Sequence, residues 1–229
     1  MGVSAMKIRI KFAKRGRMKF IGHLDIMRYF QKAIRRAEVD IVYTEGFSPH
    51  QVMSFAAPLG VGLTSEGEYF DIEVHSSLDS KTMIDQLNQA MVREMEILDY
   101  VKLPDDAKNA MSIVAGADYL LTFDLMDCKL MDFEEEFKKF LAQSEILIEK
   151  KTKKSTAVVD IRPMIFDAKV REDGLFLKLM TGSSGNLKPE LVMEAFNPNL
   201  KFKICRLETY ALDANNQLVP LGSLGEKIV

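Results

Sequence analysis

The sequence predicts an α+β protein built from two tandem ferredoxin-like lobes with antiparallel sheets. Strand-like and amphipathic helical segments follow one another in the order β-α-β-β-α-β, and the same order recurs in the second half without residue-level identity. The 229 residues also exceed a typical domain length. Because the segment after Pro104 is short and polar, we expect one lobe over residues 1–104 and another over residues 105–229.

The first lobe is predicted to begin with a strand over residues 6–13, where apolar side chains at even positions alternate with cations at odd positions. A helix from Gly22 to about Ala37 follows, because Leu24, Met27 and Phe30 recur at helical steps. The remaining elements are predicted strands over residues 39–43, 52–57, 69–74 and 97–103 and a helix over residues 80–93.

The second lobe repeats this order around a hairpin over residues 164–180 that turns at Glu172-Asp173-Gly174. A helix from Pro189 to Phe196 is indicated by the proline, which suits a first helical turn. The other predicted elements are a helix over residues 132–143 and strands over residues 119–125, 146–150, 201–212 and 217–221.

The composition is that of an ordinary soluble globular protein, with 47% hydrophobic and 28% charged residues. The sequence contains neither an apolar run of membrane-spanning length nor a signal-peptide core, so we expect a cytoplasmic protein without a membrane partner. Cys128 and Cys205 form neither a disulfide framework nor a zinc motif. We expect no metal site and no cofactor.

Positive charge is concentrated at the start of the chain. Between residues 1 and 36, eleven Lys and Arg residues are opposed only by Asp25. Fixed cations arranged in this way release the counterions of a polyanion and favour nucleic-acid binding, although solvated surface charge is the alternative interpretation. The predicted phosphate contacts are Lys7, Arg9, Lys11, Lys14, Arg17, Arg28, Lys32, Arg35 and Arg36.

Residues 43–58 are predicted to form a shaped working loop. Gly46 permits backbone angles closed to other residues, and Pro49 fixes its own φ and pushes Ser48 towards extended geometry. Such a loop would present Phe47 and Tyr43, and Phe47 is the aromatic side chain that we expect to stack on a base.

His23 and His50 are the candidate catalytic residues, because imidazole suits proton transfer near neutral pH if the loop folds over the helix start. The alternatives are a packing role for His23 and a helix-capping role for Asp25. We expect the candidate cleft to be lined by Asp25, Tyr43, Gly46, Ser48, Pro49, Glu66 and Glu68.

Several motifs together resemble a bacterial family of unknown function, the radical S-adenosylmethionine-linked proteins. The motifs lie in order over residues 7–74, with weaker ones at Gly185–Glu190 and Arg206–Glu208. They are Lys11-Phe12, Phe20 to Asp25, Arg28, Arg35-Arg36-Ala37, Tyr43 to His50, and Ser65 to Glu68, with Gly22 standing where we expect a serine in many members.

The resemblance implies a partner, a radical S-adenosylmethionine enzyme, more than it implies an activity. The chain lacks the Cys-x3-Cys-x2-Cys set of such an enzyme, so we expect an accessory protein that presents an RNA substrate. Two alternatives remain open: a histidine-dependent RNA-processing enzyme and a protein-interaction subunit that does not bind nucleic acid.

Overall fold

The computed structural model describes residues 5–123, 130–151 and 156–229 and has a mixed α+β architecture. In these residues, the principal sheet has nine strands, and all but one of its strand pairs are antiparallel. The α+β prediction is confirmed, but one sheet runs through both halves where we expected two.

The first half contains six regular elements. They are β1 (Met6–Lys14), α1 (His23–Arg36), β2 (Met53–Phe55), β3 (Thr64–Val74), α2 (Ser80–Gln89) and β4 (Ile97–Lys102). Short 3₁₀ turns at Gly16–Phe20 and Arg93–Met95 precede α1 and β4.

The described part of the second half contains three helices: α3 (Ala110–Ile113), α4 (Leu130–Leu141) and α5 (Pro189–Phe196). Its strands within the described residues are β5 (Val114–Phe123), β6 (Leu147–Lys151), β7 (Thr156–Asp160), β8 (Ile165–Arg171), β9 (Gly174–Met180), β10 (Phe202–Leu212) and β11 (Leu218–Pro220). Two further 3₁₀ turns lie at Arg162–Met164 and Leu221–Leu224.

The principal sheet has the strand order β4-β1-β3-β10-β5-β9-β8. Strand β2 is added beside β3, and β11 beside β10. The halves join through the parallel pair β3–β10, in which Thr64 lies opposite Cys205 and Ser65 opposite Arg206. The first half therefore has the order β4-β1-β3-β2, and the second half has the matching order β10-β5-β9-β8.

Each half has its own apolar core beneath its helices. In the first half, Ile8, Ile10 and Phe12 of β1 pack with Phe30 and Ile34 of α1, and all five are buried. The alternation of β1 and the three- and four-residue spacing of α1 therefore match the two surfaces that meet there. A second cluster fills the other half between β5, β9, α4 and α5.

Several predicted elements differ from the structure. Strand β3 begins at Thr64 instead of residue 69, and β5 begins at Val114 instead of residue 119. Residues 39–43 form only isolated bridges, such as that between Ile41 and Val74, where we predicted a strand. Helix α2 ends at Gln89 instead of Arg93. Strand β6 pairs with β7 in a separate two-stranded sheet. The last residues of the predicted strand 119–125, and Cys128, lie outside the described residues.

Candidate nucleic-acid interface

Arg9 of strand β1 is engaged inside the protein. Its side chain is 1% exposed and forms a bidentate ion pair with Asp71, at 2.8 Å from Nε to Oδ1 and 3.0 Å from Nη2 to Oδ2. The guanidinium also donates to the carbonyl of Leu221 at 3.2 Å. The 3₁₀ turn that contains Leu221 therefore covers this part of the strand face.

The other cations of β1 also contact protein groups. Lys11 Nζ lies 2.6 Å from Glu208 Oε2, and Lys7 Nζ donates to two main-chain carbonyls of the segment after β4, at 2.6 and 3.0 Å. Lys14 is 1% exposed, and burial lowers the pKa of its ammonium. The prediction of an outward basic face on β1 is therefore wrong for Arg9 and Lys14, because neighbouring elements cover both side chains.

The cations that reach solvent lie on α1 and on the 3₁₀ turn before it. In the described part of the chain, Arg17, Lys32 and Arg35 have no ion-pair partner. Arg28 pairs with Asp25 at 3.1 Å, an exposed contact of the kind that contributes only about 0–1 kcal/mol. We call the following six residues the cationic surface: Arg17, Lys19, Arg28, Lys32, Arg35 and Arg36.

The loop of residues 44–50 is attached beside this surface. Thr44 Oγ1 accepts a hydrogen bond from the main-chain N–H of His50 at 3.1 Å, which closes the loop. At the base of the loop, Gln51 Nε2 donates to the carbonyl of Gln31 in α1 at 3.3 Å. Phe47 at the loop tip is fully exposed, so its ring is free to contact a ligand.

The remaining loop residues fit the predicted backbone. Gly46 has a φ of 108°, in the region that favours glycine. Tyr43 is 46% exposed, and Ser48 and Pro49 are exposed. The loop therefore presents a mixed aromatic and polar edge next to α1.

The two candidate histidines have different surroundings. His23 begins α1, and its half-buried ring packs edge-on against Phe55 with 5.3 Å between the ring centroids. Burial lowers the pKa of His23, and the charge of Glu68 partly opposes that shift. His50 is exposed, with Nδ1 3.0 Å from Thr44 Oγ1. Among the described residues, no hydrogen bond or ring contact joins His23 to His50, so the structure does not form a ready acid–base pair from them.

Each of the three acidic candidates, Asp25, Glu66 and Glu68, interacts with a different arginine. The exposed Asp25 side chain does not cap α1 and instead pairs with Arg28. Glu66 forms a short ion pair with Arg15. Glu68 is buried, and its Oε1 lies 3.0 Å from Arg206 Nη1.

A buried charge cluster at the junction of β1, β3 and β10 was missed by the sequence analysis. Arg206 is 4% exposed and donates to Glu68 and, at 2.6 Å, to the carbonyl of Ala57. Lys14 lies close enough for both charges to affect its pKa. The motifs at Ser65–Glu68 and Arg206–Glu208 were the available signals, but local spacing does not show that distant strands are neighbours.

Two further findings bear on the kind of protein. Among the described residues, no group of three or more His, Cys, Asp or Glu residues is positioned to hold a metal ion. No helix within residues 5–123, 130–151 and 156–229 has the length and apolarity needed to cross a membrane.

The fold and surface define a mixed α+β protein with a cationic helix and an exposed aromatic loop. A family model described as "Uncharacterized protein conserved in bacteria (DUF2344)" matches residues 7–189. Because this match covers most of the chain, including α1 and the loop, the chain belongs to that family. No curated protein matches the chain. The family description names no reaction, substrate or partner.

Proposed function

We propose that this chain is a cytoplasmic accessory protein that binds a structured, tRNA-like RNA for a radical S-adenosylmethionine enzyme. The observation that carries RNA binding is the cationic surface, where Arg17, Lys32 and Arg35 are exposed without an ion-pair partner among the described residues. When unpaired surface cations bind phosphates, the counterions condensed on the nucleic acid are released, and this release favours binding. Phe47, on the adjoining loop, adds a ring on which a base stacks.

The radical-enzyme partner is supported by the sequence resemblance in residues 7–74. These residues include β1, α1, the loop and β3, and the motifs behind the resemblance contain Arg28, Arg35 and Arg36 of the cationic surface. The chain contains only two cysteines, too few for the three-cysteine cluster motif of a radical enzyme. The proposed division of labour is therefore that this chain holds the RNA and the partner modifies it.

We also propose that residues 1–104 and 105–229 are two ferredoxin-like units joined edge to edge. The matching strand orders β4-β1-β3-β2 and β10-β5-β9-β8 support this interpretation, as do the antiparallel pairs within each half. Pairing of β3 with β10 would then merge the two sheets into one.

Filter binding of a tRNA pool over a salt series tests RNA binding. The K32A/R35A variant should reduce the slope of log affinity against log salt by about 1.4 if each lost cation neutralised one phosphate of a single strand, or by about 1.8 on a duplex. Removing Lys138 and Lys139 from the exposed face of α4 gives a charge-matched control whose slope should equal that of the wild type.

Filter binding, association with the radical enzyme and the length of the incubated RNA together separate the three hypotheses. Wild-type protein that shows no salt-dependent retention of RNA would disprove RNA binding. Association with the radical enzyme in that case would support a protein-interaction subunit. Shortened RNA in the incubations, lost when His23 and His50 are both replaced by alanine, would support the histidine-dependent processing enzyme.

A further inference from the structure

A groove of about 430 Å³ lies where the two halves of the principal sheet meet. Its apolar lining includes Leu63, just before β3, and Phe202 and Ile204, at the start of β10. Its volume falls within the range of about 300–1,000 Å³ that is typical of small-molecule sites.

Polar groups also line the groove. Thr122 comes from β5, and Glu190 comes from the first turn of α5. Within the described parts of the chain, the exposed Glu190 carboxylate has no hydrogen-bond or ion-pair partner. This carboxylate is therefore available to accept hydrogen bonds from a ligand.

Lys19 connects the groove to the cationic surface. Lys19 is one of the residues that line the groove, and its Nζ lies 5.1 Å from the ring centroid of the exposed Phe20. The Lys19 carbonyl accepts a hydrogen bond from Gly62 N–H at 2.7 Å, which fixes the turn before α1 against the groove wall. Lys19 therefore belongs both to the cationic surface and to the lining of the groove.

We propose that the groove receives one unpaired RNA base that carries an exocyclic amino group, while Lys19 and the cationic surface hold the adjoining phosphates. This inference rests on the RNA binding proposed above. Phe202 provides a ring on which any base can stack, and Leu63 and Ile204 add apolar contacts beside it. Glu190 then selects among bases, because a carboxylate accepts hydrogen bonds from an amino group such as N4 of cytosine, and uracil has no amino group.

The proposal also specifies the RNA conformation. A base inside a duplex must be unstacked and unpaired before it enters a pocket, which costs free energy, whereas a bulged base avoids most of this cost. The preferred substrate is therefore an RNA with an unpaired cytosine, adenine or guanine beside a helix.

Fluorescence anisotropy of the full chain with labelled RNA hairpins tests the inference. The probes are one hairpin with a single bulged cytosine, the same hairpin with a bulged uracil, and a fully paired hairpin of equal charge. Wild-type protein should bind the bulged-cytosine hairpin about tenfold more tightly than either of the other two. Glu190→Gln should bring the two bulged hairpins to nearly equal affinity, and Glu194→Gln, on the same helix, should leave the preference unchanged.

Equal wild-type affinity for the three hairpins, with salt-dependent binding retained, would overturn the groove assignment and leave the proposed RNA binding intact. The same effect from Glu190→Gln and Glu194→Gln would overturn the role of Glu190. If the wild-type protein bound none of the hairpins and did not bind the tRNA pool, both proposals would be overturned.

Discussion

At the scale of single residues, buried charges in this sheet are matched across strands. Arg9 of β1 pairs with Asp71 of β3, and Arg206 of β10 pairs with Glu68 of β3. Removing a charge from water costs several kcal/mol, so each pair depends on the geometry of its partner. These arginines therefore contribute to folding, whereas Lys32 and Arg35 of α1 are exposed and have no ion-pair partner among the described residues.

Replacing Asp71 with alanine should destabilise the protein by about 3–5 kcal/mol, because it leaves the Arg9 guanidinium buried without its counterion. Asp71 also accepts a hydrogen bond from the Ala110 N–H at 2.7 Å, which the variant loses. Equilibrium unfolding in urea measures this change. Asp25→Ala, which breaks the exposed pair with Arg28, is the matched control and should cost about 0–1 kcal/mol. Similar losses for the two variants would contradict the assignment.

His23 should make stability depend on pH. Burial lowers its pKa in the folded state below the unfolded value of about 6.5, so the unfolded chain binds more protons in the interval between the two values. The stability contribution is complete above the unfolded pKa and is lost as pH falls towards the folded pKa. Unfolding free energies at pH 7.5 and 5.5 should therefore differ less in His23→Gln than in the wild type.

His50→Gln, at an exposed position, is the control for this pH comparison. It should lose as much stability as the wild type between the two pH values. If the unfolding free energy of His23→Gln depended on pH as that of the wild type does, burial of the His23 ring would not contribute to the pH dependence of stability.

At the scale of elements, strong local patterns predicted the structure well. The bounds of α5 agree with the prediction, and the hairpin turns between Arg171 and Gly174 as the Glu172-Asp173-Gly174 motif indicates. The strand predicted over residues 39–43 does not form, because a strand also requires a free sheet edge with which to pair. Strand β2 occupies the edge of β3 from Phe70 to Ile72, which leaves only the end of β3 for residues 40–42. There the Val42 N–H donates to the Glu73 carbonyl and the His75 N–H donates to the Asp40 carbonyl, both at 2.8 Å.

Elements with similar positive charge have different roles in the structure. Strand β1 and helix α1 are both amphipathic with basic polar sides, and from the sequence we predicted phosphate contacts on both. In the structure, the basic side of β1 meets acidic groups of β3 and β10, for example Glu208 beside Lys11, whereas that of α1 faces solvent. Predictions for phosphate contacts therefore apply to α1 and the turn before it.

At the scale of the whole molecule, the close approach of β3 and β10 joins the halves. A Cβ added at Gly67 would lie 2.5 Å from Glu208 Cα and 2.7 Å from the Leu207 carbonyl oxygen. Only a residue without a side chain fits at this distance. Thr209 Oγ1 also donates to the Gly67 carbonyl at 2.7 Å, which adds a hydrogen bond across the junction.

Gly67→Ala should therefore destabilise the protein by about 1–3 kcal/mol through overpacking between β3 and β10. Thermal and urea unfolding followed by circular dichroism measure the loss. At Gly60, an added Cβ meets only the Leu63 side chain at 3.9 Å, so Gly60→Ala is the control and should change stability little. Equal stability of the Gly67 variant and the wild type would show that the two backbones separate without cost.

The sequence by itself determined the α+β class, most helices and strands, the exposed loop and the concentration of cations, because these depend on composition and on periodicity within a few residues. The tertiary structure decided which cations are buried, since Arg9 and Lys14 owe their environments to elements far along the chain. It also decided that β3 pairs with β10 and that a groove forms between the halves. Such contacts join residues far apart in sequence, 62 positions for Arg9 and Asp71 and 212 for Arg9 and Leu221, and no local pattern specifies them.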